Sequence, residues 1–63
     1  MERARFDFVA GRDGLQAALL WAAKTSIVYR RSASDIRFAG YAKAMLASAE
    51  SLEKLVMTDG KEA

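Results

Sequence analysis

Apolar and polar positions along this chain follow two different periods. In ARFDFVAG, residues 4–11, Phe6 and Phe8 alternate with Arg5 and Asp7, and Gly11 closes the run. Alternation with a period of two marks a half-buried strand, so a short β-strand is expected over residues 4–10. From residue 14 the period becomes helical. Leu15, Ala18, Leu19, Ala22, Ser26 and Tyr29 share one side of a helix expected over residues 14–31. Trp21, Thr25 and Val28 widen that side, while Gln16, Lys24 and Arg31 mark a narrow polar strip. Leu20 and Ile27 lie on or beside the strip, which leaves them exposed as interface positions. A helix this widely apolar calls for cover on more than one side.

A second helix is expected over residues 33–57. Phe38, Met45 and Leu52 recur at every seventh position, with Tyr41 or Ala42, Ala49 and Val56 between them, a coiled-coil-like seam. Small residues from Ala39 to Ala49 leave room for a neighbouring helix. Gly40 costs up to about 1 kcal/mol inside a helix, so a close approach is expected there to offset it. Asp13 and Gln16 have capping-box spacing, as do Ser32 and Asp35, with Ser34 an alternative cap. Gly60 is a stop signal, and residues 58–63 read as a frayed tail. The short turn between the helices makes them antiparallel neighbours. The fold class is therefore mainly α: one small domain over residues 1–63, with an N-terminal strand and an antiparallel two-helix hairpin.

The strand has no mate in the chain. Its edge is met by a second copy, by a partner, or by nothing, in which case it is an arm packing Phe6 and Phe8 on the hairpin. Length favours the second copy: 63 residues form too small a core without a staple. The chain has no Cys and no His, which excludes disulfides and the usual zinc ligands. Homodimerisation, with Phe6, Phe8, Leu20 and Ile27 at the interface, is the expected remedy. The longest apolar run, residues 17–23, is far short of the roughly 20 residues that span a bilayer, and the N-terminus lacks a signal-peptide core. A cytoplasmic location without membrane contact is expected.

Little here points to chemistry. Ser and Thr lack a His or Cys partner, the glycines form no phosphate loop, and Glu50 with Glu53 lacks further acids for a metal site. A non-enzymatic protein with no cofactor, metal or small-molecule substrate is expected. Charge suggests the kind of partner. Net charge is +2, but residues 1–43 hold eight basic and four acidic groups, while residues 44–63 hold two basic and four acidic. A basic body fits an acidic protein surface or nucleic acid. Arg30, Arg31 and Arg37 surround the turn and a fresh helix N-terminus, a setting that favours anions.

Strand, helix, short turn, helix resembles the ribbon-helix-helix DNA-binding family. The resemblance implies a dimeric ribbon from RARFDF, with Phe6 and Phe8 inward and Arg3, Arg5 and Asp7 outward in the major groove. It also implies that SASDIR places Ser32 and Ser34 near phosphate. Asp7 and the modest net charge depart from the family's pattern. In size and lack of catalytic motifs, the chain is also similar to small phage and mobile-element accessory proteins, anti-CRISPR inhibitors among them. The leading expectation is an interaction module that binds a macromolecular partner, such as an inhibitor of a host protein complex. The alternative is a dimeric DNA-binding regulator, and in either case Arg3, Arg5, Arg30, Arg31 and Arg37 are the expected contacts to the partner or nucleic acid.

Overall fold

The computed structural model describes residues 2–62, and these form three α-helices: α1 (Glu2–Asp13), α2 (Leu15–Ala33) and α3 (Ala42–Asp59). A 3-10 turn, Ile36–Tyr41, joins α2 to α3, and a second, Gly60–Glu62, follows α3. No strand occurs among the described residues. The mainly α class stands, and the N-terminal strand is corrected: residues 4–10 lie inside α1. The physical reason is backbone accounting. A lone strand leaves its N–H and C=O groups without partners, whereas a helix pairs them internally. Glu2, Arg3, Ala4 and Arg5 also favour a helix.

The change of period separates the two phenylalanines. In a strand Phe6 and Phe8 point the same way; in a helix, positions two apart point about 200° apart. Phe6 is accordingly 1% exposed and Phe8 64% exposed. Phe6 packs with Ala18, Ala22 and Leu52, and Val9 and Ala10 border the same cluster. The spacing of Phe6, Val9 and Ala10 is that of one helix face.

Gly14 separates α1 from α2 with φ 98° and ψ 164°, a conformation that costs any residue with a Cβ. Its N–H donates to the Ala10 carbonyl at 2.9 Å and its carbonyl accepts from the Ala18 N–H at 3.2 Å, so it closes one helix and opens the next. The expected Asp13 cap is not formed. No side chain among the described residues caps α2, and the Asp13 carboxylate accepts from Arg12 Nε at 2.9 Å instead.

The second joint also differs from expectation. The helix expected over residues 33–57 is divided: Ala33 ends α2, and regular helix resumes at Ala42. Ser34 closes α2, its N–H donating to the Arg30 and Arg31 carbonyls. Asp35 is extended and caps the 3-10 turn by accepting from the Arg37 N–H at 2.9 Å. Within the turn, Phe38 leaves helical geometry (φ −114°, ψ 19°). Gly40 therefore sits in the turn and not in a helix, and nothing lies within 4 Å of where its Cβ would be; the close approach expected there does not occur. Beyond α3 the chain continues as a turn through Glu62.

α2 and α3 run antiparallel, because Arg30 near the end of α2 meets Glu53, while Leu19 near its start lies against Gly60. Ala18, Ala22 and Ser26 on α2 and Ala49 and Leu52 on α3 are buried. Small residues at these positions let the helix axes approach. Ser26 satisfies its hydroxyl by donating to the Ala23 carbonyl at 2.8 Å. Among the described residues, only Phe6 and Leu52 are large side chains buried in full. The consequences appear in size. The accessible surface is 4610 Å², where a chain of this mass would show about 4,000 Å². The radius of gyration is 12.2 Å, against about 10.6 Å for a compact chain of this length.

Candidate interaction surfaces

The basic positions singled out in the sequence do not form one open patch, because carboxylates of the same chain hold several of them. Arg30 makes a two-pronged pair with Glu53, at 2.6 Å from Nε and 2.7 Å from Nη2. That bond keeps the Glu53 carboxyl below its usual pKa and raises the Arg30 guanidinium's. Arg37 grips Asp35 at 2.7 Å through Nη2 and lowers its pKa in the same way. Arg3 reaches Asp59 at 2.9 Å and Asp7 at 3.3 Å, tying the start of α1 to the end of α3. Arg5 and Arg31 are exposed and enter no ion pair among the described residues.

The turn between α2 and α3 carries exposed apolar side chains. Ile36 is 89% exposed, and Phe38 and Tyr41 are exposed beside it. The turn builds this by giving its short 3-10 run no face to bury. Arg37 lies over the Phe38 ring at 5.6 Å, so Asp35, Arg37 and Phe38 form one contiguous group. Lys43 follows at the start of α3 and Arg31 precedes the turn, both exposed. An apolar tip with a basic surround is the result.

A second surface is the side of the α2–α3 hairpin turned away from α1. A groove of about 300 Å³ runs there, lined by Ala23, Ser26, Ile27, Glu53, Val56 and Met57. Ile27 is 52% and Met57 68% exposed, and Leu20 and Leu46 extend the apolar stripe along each helix. Leu20 and Ile27 thus stand on the surface, where their place beside the polar strip put them. Phe6, grouped with them as an interface residue, is spent on the chain's own core.

A third concavity of about 570 Å³ opens between the start of α1 and α3. Glu2, Arg3, Ser48, Ser51, Lys54 and Thr58 supply its polar lining. The Glu2 Oε2 atom is buried there without a hydrogen-bond partner among the described residues. On the outer face of α1, Arg12 stacks over the exposed Phe8 ring at 5.3 Å.

Sequence reasoning missed Ile36 and Met57 as surface positions and Glu53 and Asp59 as partners for arginine. Ile36 carried a signal: it follows Asp35, a turn former, and lies off the Phe38–Met45–Leu52 seam. The long-range pairs carried none, since Arg3–Asp59 joins residues 56 apart. No cluster of three potential metal ligands occurs among the described residues, and no described helix is long and apolar enough to cross a membrane. The chain matches no family model, no curated protein and no solved structure.

Proposed function

We propose that this chain is a small non-enzymatic interaction module that docks on a protein partner through the α2–α3 turn. The observation that carries the reading is the turn itself: Ile36, Phe38 and Tyr41 stand outside the core on a turn capped by Asp35, which Arg37 also contacts. Apolar side chains held out in this way act as anchors for a recess on another surface. Arg31 and Lys43 beside them fit an acidic rim. An inhibitor of a larger protein complex would work by such docking.

Protein is favoured over nucleic acid by the state of the arginines. Binding to phosphate draws its affinity from many free cations, whereas Arg3, Arg30 and Arg37 already hold carboxylates. The ribbon that would enter a DNA groove is not proposed, since residues 4–10 are helical.

The test compares the wild-type chain with an I36S/F38S/Y41S variant in the cell of origin, by crosslinking and mass spectrometry. A defined protein captured by the wild type and by F8S, but lost from the turn variant with its helical circular dichroism intact, supports the reading. Capture indifferent to the turn substitutions refutes it. Binding to duplex DNA that falls steeply with salt would replace the protein partner by nucleic acid.

A further inference from the structure

The α2–α3 hairpin has one face crossed by α1 and one face left open, the face that holds the Ile27–Met57 groove. We propose that a second copy of this chain covers the open face, related to the first by a twofold axis parallel to the hairpin, with α2 of each copy lying on α3 of the other. This goes beyond the docking role above: it uses a different face and needs no foreign partner.

Charge selects the occupant and the axis. Apart from Arg30, which is held by Glu53 of its own chain, α2 carries Lys24 and Arg31 and no acidic residue. On α3, Glu50, Glu53 and Met57 share one side by their spacing, and Glu53 and Met57 line the groove. The open face is therefore basic along one helix and acidic along the other, with Ile27, Met57, Leu20 and Leu46 as its apolar exposed positions. A face with that division complements itself. A twofold axis across the hairpin would set α2 on α2, cation against cation; an axis along it sets each basic helix on an acidic one.

The register follows from the Arg30–Glu53 pair, which fixes those residues at one level along the hairpin. An axis along the hairpin preserves levels, so Arg31 of one copy comes within about 3 Å of Glu50 of the other along the axis direction, at about 1.5 Å per residue. Arg31 and Glu50 are both exposed and have no ion-pair partner among the described residues of their own chain.

The area suffices. Helices of this length run about 27 Å, and a pair of them side by side is about 20 Å wide. The flat projection is then about 540 Å² per copy, and about 1,100 Å² for a pair clears the roughly 1,000 Å² of a specific interface. The excess surface and thin core of the single chain are what such a pairing would relieve.

Sedimentation equilibrium of the full chain across low to high micromolar concentration tests this. The wild type is expected to sediment as a dimer. R31E and E50R are each expected to weaken the dimer by about tenfold or more, since like charges then meet across the axis. Mixing the two variants is expected to restore a dimer containing one copy of each, because each reversed charge meets its complement only between copies. Helical circular dichroism of each variant separates loss of pairing from loss of fold, and I27S serves as the neutral variant that weakens pairing if either charge reversal unfolds the chain. A wild-type chain that stays monomeric overturns the proposal. So does a dimer indifferent to R31E, E50R and I27S, or a mixture that stays as monomeric as its components.

Discussion

The two faces of the α2–α3 hairpin are built from similar residues and end differently. On one, Ala18, Ala22 and Leu52 meet Phe6 of α1 and lose contact with water. On the other, Ile27, Val56 and Met57 border a groove that no residue of α1 lines. The difference is one short helix folded back at Gly14. Hydrophobicity alone therefore does not make a core in this chain; the connection that delivers a covering element does. The same comparison orders the expected effects of substitution.

Breaking the covered face should cost most. Phe6→Ala removes the largest buried side chain of α1, a change worth about 3–5 kcal/mol. In a domain this small, that lowers the melting midpoint by about 12 °C or more, measured by circular dichroism at low micromolar concentration. A change of a few degrees would mean that α1 is not what seals this face.

The fold-back should be the next most sensitive point, and two glycines separate its causes. Gly14→Ala meets no atom within 4 Å, so its whole cost is the backbone at φ 98°, about 1–3 kcal/mol of destabilisation. Gly11→Ala, inside α1 and equally free of neighbours, should stabilise by about 0.4–1 kcal/mol. Denaturant melts of the pair should show opposite signs, and matching signs would remove the positive-φ hinge from the account.

Acid should loosen the open side. The Arg30 guanidinium holds the Glu53 carboxyl below its usual pKa, so the pair's contribution is complete above the ordinary carboxylate pKa. It is lost as pH falls through the depressed value. Both side chains are partly exposed, so water screens the pair and the effect is small. Glu53→Gln should flatten the acid limb of the melting curve, and an unchanged limb would show that the pair adds nothing.

The open face should be nearly silent in the folding of the single chain. Ile27→Ser and Phe8→Ser, both at exposed positions, should shift stability by about 0.5 kcal/mol or less when measured below the concentration of pairing. Ile27→Ser alone should weaken association, which contrasts it with Phe6→Ala.

Much of the hairpin was legible. Leu15, Ala18, Leu19, Ala22 and Ser26 share a helix side by spacing alone, and they are buried or half-buried. Ala49 and Leu52 of the seven-residue seam are buried as well. Leu20 and Ile27 fell beside the polar strip and are exposed. Phe38 and Tyr41 were not legible, because Asp35 redirected the chain into a 3-10 turn that takes them off the seam. The first ten residues misled for a different reason. A few alternating positions fit a strand, yet Phe6, Val9 and Ala10 fit a helix equally well, and short apolar runs do not discriminate.

The sequence by itself determined which side of each hairpin helix is apolar, because that depends on spacing within one segment and on the fixed helical repeat. Only the tertiary structure decided which apolar sides are covered and which cations remain unpaired. Phe6 became core when α1 folded back at Gly14. Arg30 and Arg3 found carboxylates 23 and 56 residues away. Those outcomes depend on how the helices are placed and rotated against one another, and packing between distant segments sets that rotation.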